Sequence, residues 1–212
     1  MDFYCSFAEG KWNAGDWQFC RSPRWEACSS WRQESDCIAN EFAADLDPSE
    51  TQMGRERTGE TYLSMLWRQP LHGSCRVETT CSFEERMAPL IVFSKELVSV
   101  HREHLEVVLY DKGINLWHHF FNDGKPSWKL IAFGDYDLPP DTRHHLVAEI
   151  RATSRGKFLY MGIDEPDFGC RIPDDWDEYF TGFTACEGHN RFYDFAVKEV
   201  EPLEIMKERI SD

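Results

Sequence analysis

The sequence predicts an all-β protein, a two-sheet antiparallel jelly-roll sandwich closed by a short C-terminal helix. Three observations predict it. Runs rich in β-branched and aromatic residues recur at roughly ten-residue spacing from residue 60 onward. Turn-forming clusters separate them: Asp111-Lys112-Gly113, Asn122-Asp123-Gly124-Lys125-Pro126, Ser154-Arg155-Gly156 and Glu187-Gly188-His189-Asn190. Within the runs, apolar and polar residues alternate, as strands with one buried face require.

The elements follow in order. Residues 1–60 read as an irregular, Trp-rich segment (Trp12, Trp17, Trp25, Trp31) whose indoles either plug an open sandwich edge, the commoner use, or line its groove, ending in an exposed loop over 45–60. Strands are expected at Thr61–Arg68, Ser74–Glu84, Pro89–Ser94, Leu105–Asp111, Ile114–Asn122 and Trp128–Phe133. They continue at His145–Ala152, Lys157–Asp164, Tyr179–Cys186 and Arg191–Val200. In the second run, Cys75, Val77, Thr79, Cys81 and Phe83 form the buried side, opposed by Arg76, Glu78, Thr80, Ser82 and Glu84. Helical periodicity appears only over Glu201–Ile210, the predicted short helix. No repeat or linker divides the chain, so residues 1–212 are expected to form one domain.

Composition excludes several classes. With 42% hydrophobic and 14% aromatic residues in 212, a full core is affordable and global disorder is excluded. The charge of −15, from 23 basic and 38 acidic residues, repels phosphate backbones and anionic membranes. Neither nucleic acid nor a membrane is therefore an expected partner. The start Met1-Asp2-Phe3-Tyr4-Cys5 has neither a basic nor an apolar leader segment, which predicts a cytoplasmic location. The eight cysteines include no CxxC pair and are expected to be reduced and structural. GxSxG, GxGxxG and GxxxxGK[ST] are absent, so no cofactor is expected.

The last third resembles the closing strands of concanavalin A-like sandwich domains. The matching residues are Gly156, Ile163-Asp164, Gly182-Phe183 and Phe192 to Val197. The segment YDKGINLWHHFF, Tyr110 to Phe121, is similar to a stretch in bacterial members of that superfamily encoded in pectin and rhamnogalacturonan-utilisation loci. The resemblance spans about residues 60 to 200 and implies the sandwich fold and a carbohydrate ligand. That superfold hosts lectins, carbohydrate-binding modules, glycosidases and polysaccharide lyases, so it does not choose among them.

The candidate site comes from the Ile114–Asn122 run. Asn115, Trp117, His119 and Phe121 share one face; Ile114, Leu116, His118 and Phe120 share the other and are expected to point inward. An indole, an amide and an imidazole side by side suit an oligosaccharide, the ring stacking on a pyranose and the polar groups binding hydroxyls. On the concave sheet, Arg76, Glu78, Glu149 and Arg151 are expected to join them, with Trp67 and Arg68 in second rank. The arginines would hold a uronate carboxylate.

Catalysis is the alternative reading, with His119, Glu78 and Glu149 as candidates. A glycosidase needs paired carboxylates, yet no strand carries three alternating acids. A lyase would use His119 as base and Arg76 or Arg151 as charge neutraliser. A third reading is a non-enzymatic homodimer through the Trp-rich segment and acidic loop. The acidic run from Asp164 to Glu178 offers Asp175 and Asp177 to calcium but reads as a solvated loop. His118-His119 and His144-His145 diverge on strands, and His101 with His104 would chelate only on a helix, so no metal is expected.

Overall fold

A computed structural model describes residues 2–23, 29–42, 60–84 and 88–203. Seventeen strands lie in that part of the chain. The first sixty residues contribute β1 (Phe3–Ser6), β2 (Trp17–Arg21), β3 (Ser29–Gln33) and β4 (Ile38–Phe42). Then come β5 (Glu60–Trp67), β6 (Leu71–His72), β7 (Cys75–Phe83), β8 (Pro89–Ser94), β9 (His104–Tyr110), β10 (Gly113–Asn122) and β11 (Lys125–Asp135). The last are β12 (His144–Thr153), β13 (Gly156–Ile163), β14 (Phe168–Arg171), β15 (Glu178–Glu187), β16 (Asn190–Phe192) and β17 (Asp194–Glu199).

They build two antiparallel sheets. The nine-stranded sheet runs β14-β13-β12-β7-β16-β4-β3, with β17 also on β7 and β1 on β17. The eight-stranded sheet runs β11-β10-β9-β8-β15-β5-β2, with β6 on β15. Alternating residues of both meet in one core. Val77, Cys81, Leu146, Ala148 and Ile150 come from the first sheet, and Met65, Ile91, Phe93, Leu105, Val107 and Leu116 from the second. Phe183 joins the layers at the centre, packed on Phe7, Trp17, Phe192 and Phe195 with ring centroids 4.5–5.7 Å apart. Each such buried aromatic contributes about 2–3 kcal/mol.

Three expectations change. The first sixty residues are not irregular throughout: they hold β1–β4, strands of four or five residues paired to distant partners such as β17 and β5. The plug is right for Trp17, which is fully buried in the core; Trp25 and most of the loop over 45–60 lie outside the described residues. The predicted strand Arg191–Val200 is two strands laid end to end along β7. The break falls at Tyr193, whose N–H donates to the Thr80 carbonyl at 2.9 Å. Of the predicted C-terminal helix, residues 201–203 are not helical and 204–210 lie outside the described residues.

The seven described cysteines are free thiols, and Cys75 and Cys81 face the core together. Burial pushes Cys5, Cys20, Cys37 and Cys75 up to about 12, which keeps them protonated. Among the described residues no helix is long and apolar enough to cross a membrane.

Candidate functional site

The hairpin of β9 and β10 sets the site. Its two-residue turn, Asp111-Lys112, places Tyr110 opposite Gly113, and the register then puts Glu106 opposite Trp117 and His104 opposite His119. Directly opposed residues share a sheet face. Leu105, Val107, Leu109, Ile114 and Leu116 enter the core, so His104, Glu106, Val108, Asn115, Trp117 and His119 line the outer face of the eight-stranded sheet.

That face carries a buried polar cluster. Glu106 Oε1 lies 2.9 Å from His104 Nε2, and its Oε2 lies 2.9 Å from His119 Nε2. The Nδ1 of His104 faces the Arg102 carbonyl at 2.8 Å, and the Tyr62 hydroxyl lies 3.2 Å from His104 Nε2. The three residues are 1%, 3% and 9% exposed in the order His104, Glu106, His119, so water screens their contacts little. Tyr62 holds φ at +46°, a conformation rare for an aromatic residue, as strained residues near functional groups often do.

Residues 95–103, between β8 and β9, fold across the same face. Leu97 and Val98 cover Cys20, Leu66 and Val92, while the His101 N–H donates to the Arg21 carbonyl at 2.9 Å. His101 is thereby stacked on His104, centroids 4.3 Å apart, with Nε2 2.8 Å from the Ser64 hydroxyl. Burial, aided by His119 nearby, pushes its imidazole down to about 3, so it is neutral. Its Nδ1 is buried without a hydrogen-bond partner. Beside it lies a pocket of about 550 Å³ that reaches Lys95, Phe120 and Phe121.

Toward the sheet edge the face turns aromatic. On β11, Trp128 sits opposite His119, Leu130 opposite Trp117 and Phe133 opposite Asn115. They are 49%, 44% and 50% exposed. The odd spacing between Leu130 and Phe133 is reconciled by a register shift at Leu116/Trp117, which leaves Ile131 as an extra residue. Tyr110 on β9 extends the row, its ring 6.3 Å from Phe133.

The predicted site residues therefore divide. Asn115, Trp117 and His119 do share an outward face, with Trp117 half-buried against Ala88, Leu90 and Val108. Arg76, Glu78, Glu149 and Arg151 do not join them: they lie on the outer face of the other, nine-stranded sheet. There Arg76 hydrogen-bonds Glu78, Glu149 and Glu165, Arg151 bonds Glu149 at 2.7 Å, and Lys198 bonds Glu78 at 2.7 Å. Trp67 is buried in the core, stacked on Phe3 at 4.4 Å, and Arg68 donates to the Trp17 carbonyl. His118 was expected inside but lies past the core's end, 3.0 Å from Glu103. In the acidic run, Asp175 pairs with Lys95, Asp174 with Arg171 and Asp177 with Lys157.

Tyr62, His101, His104 and Glu106 were missed. The signal for two of them lay in the hairpin turn, since it fixes which residue opposes which. Ligand spacing within a single segment does not reach across such a pair. Of the described residues, His104, Glu106 and His119 are the group whose ligand atoms could hold a metal ion.

No family profile matches the chain, and no curated protein matches it in sequence. Solved structures do match. A carbohydrate-binding module, CBM66 from Bacillus subtilis, aligns with TM-score 0.57 and 11% identity over 89% of this chain and 94% of that one. The Lotus tetragonolobus seed lectin aligns with TM-score 0.52 and 9% identity over 93% and 97%. A prokaryotic β-1,3-1,4-glucanase (lichenase) derived from a mouse hindgut metagenome aligns with TM-score 0.58 and 7% identity over 94% and 100%. At such identities the likeness shows the fold, the concanavalin A-like jelly-roll sandwich.

Proposed function

We propose that this protein binds an oligosaccharide on the outer face of its eight-stranded sheet, along the aromatic row of β10 and β11. One observation carries the reading. Of the seven large hydrophobic side chains exposed among the described residues, four (Phe121, Trp128, Leu130 and Phe133) fall on this hairpin. Exposed apolar surface gathered in one place marks a binding face. Stacking by Trp128 and Phe133 would take the apolar side of a sugar, while Asn115 and His119 beside them would take hydroxyls. Structural neighbours that include a lectin, a carbohydrate-binding module and a glucanase support the same ligand class. With Arg76 and Arg151 engaged on the opposite sheet, the reading favours a neutral oligosaccharide over a uronate. Its origin in plant polysaccharides and a cytoplasmic location remain part of the proposal.

A catalytic version rests on the Tyr62–His104–Glu106–His119 set, which puts a hydroxyl, two imidazoles and a carboxylate within hydrogen-bond reach of one another. Glu78 and Glu149 drop out of that version because both are tied to cations on the other sheet.

A thermal-shift and calorimetric screen against plant oligosaccharides, neutral and uronate-containing, tests the reading. Each mixture is also assayed for new reducing ends and for the ultraviolet absorbance of an unsaturated product. Binding lowered tenfold or more by Trp128→Ala supports it. No binding to any member, or equal binding by wild type and Trp128→Ala, overturns it. If the row were instead a homodimer face, Trp128→Ala would change the sedimentation mass and no glycan would bind.

A further inference from the structure

We infer that His104, Glu106 and His119 form a site for one first-row divalent metal ion of the zinc class. Hydrogen bookkeeping comes first. A carbonyl only accepts, so the Nδ1 of His104, 2.8 Å from the Arg102 carbonyl, carries that ring's proton. A neutral imidazole has one N–H, which leaves a lone pair on Nε2, 2.9 Å from a carboxylate oxygen of Glu106. The Tyr62 hydroxyl, 3.2 Å from the same nitrogen, can donate to that lone pair, and a cation shared with the carboxylate would take its place there. The second oxygen of Glu106 faces His119 Nε2 at 2.9 Å. A metal ion would draw one donor atom from each of the three residues, all within 4.8 Å of one another.

The surroundings suit a metal as well. A ligating histidine characteristically gives its other N–H to a backbone carbonyl, as His104 does. The rings are held in place, His104 being stacked between His101 at 4.3 Å and His119 at 4.5 Å. His101 adds a wholly buried, unpartnered Nδ1 beside the cluster. Two imidazoles and one carboxylate favour zinc and its neighbours over calcium or magnesium, which prefer all-oxygen shells. Three protein ligands leave at least one coordination position for water or a ligand. His119 is the most exposed of the three and lies opposite Trp128, so the site borders the aromatic row.

The test reads metal rather than sugar, so its outcome is separable from that of the glycan screen. Full-length protein stripped with a chelator is titrated with Zn²⁺, with Co²⁺ as a visible-light probe and Ca²⁺ as control. One equivalent of Zn²⁺ or Co²⁺ should bind, with a cobalt absorption band and a raised melting temperature. Glu106→Gln and His119→Gln should each weaken uptake by more than about 100-fold, beyond what loss of an outer partner costs. His72→Ala, at an exposed histidine, should leave it unchanged. In the wild type, ¹⁵N spectra should show Zn²⁺ moving the Nε2 signals of His104 and His119, a readout that needs no variant to fold. Substoichiometric uptake, equal uptake by the variants, or shifts at other histidines instead would overturn the inference. So would spectra showing both nitrogens of His104 protonated in excess Zn²⁺, which would mean a proton supplies the charge.

Discussion

The rings of His104 and His119 lie stacked across the β9–β10 ladder, centroids 4.5 Å apart and planes 17° from parallel, with Glu106 joined to both. The contact follows from a two-residue turn that makes the two residues direct neighbours. It joins a buried charge to two groups whose removal would have unequal costs.

His104→Ala should destabilise the protein by about 3 kcal/mol, because it strips a partner from a buried carboxylate and opens a cavity beneath His101. His119→Ala, nearer the rim, should cost about half as much. Urea unfolding of the metal-free proteins, followed by tryptophan fluorescence, gives both values; equal losses would contradict the burial order.

On the other sheet, Arg76 holds three carboxylates, two of them buried. Arg76→Ala should therefore cost about 3–5 kcal/mol by leaving Glu78 and Glu149 short of a partner. Glu165→Ala removes the exposed member and should leave stability nearly unchanged. Neither should alter glycan affinity, since both lie on the face away from the aromatic row. Denaturation midpoints and binding isotherms for the pair check this.

Acid should weaken the same network. Burial pushes the Glu78 carboxyl up, but Lys198 and Arg76 outweigh it and hold the group below the usual carboxylate range. The unfolded chain thus takes up its proton first as pH falls. The stabilisation is complete above about pH 5 and is lost as pH drops through the lowered folded value. The stability difference between wild type and Glu78→Gln should hold from pH 6 to about pH 5 and shrink from there to about pH 3. A difference that stays constant would show that Glu78 has no part in acid unfolding.

The strands from residue 60 onward were legible because alternation and turn residues are local signals, and Cys75, Val77, Leu146 and Ile150 do face inward. β1–β4 were not, because short strands such as Trp17–Arg21 gain stability from distant partners that leave no periodicity of their own. At the site, alternation put Asn115, Trp117 and His119 on one outward face, as observed. It could not say which sheet a polar face belongs to, so Arg76 and Glu149 were grouped with His119 although the core lies between them. Leu130 and Phe133, three apart, fail any two-residue rule until the irregularity at Ile131 is known.

That one surplus residue in β11 acts as a phase shifter. Upstream of it, even-numbered positions such as 128 and 130 look outward; beyond it, odd-numbered 133 does. Were the ladder to absorb that residue into regular pairing, Phe133 would rotate inward and Ala132 would face solvent, whereas deleting Ile131 itself would restore plain alternation and leave both as they are; the reach of the exposed row is thus set by how the pairing accommodates one residue.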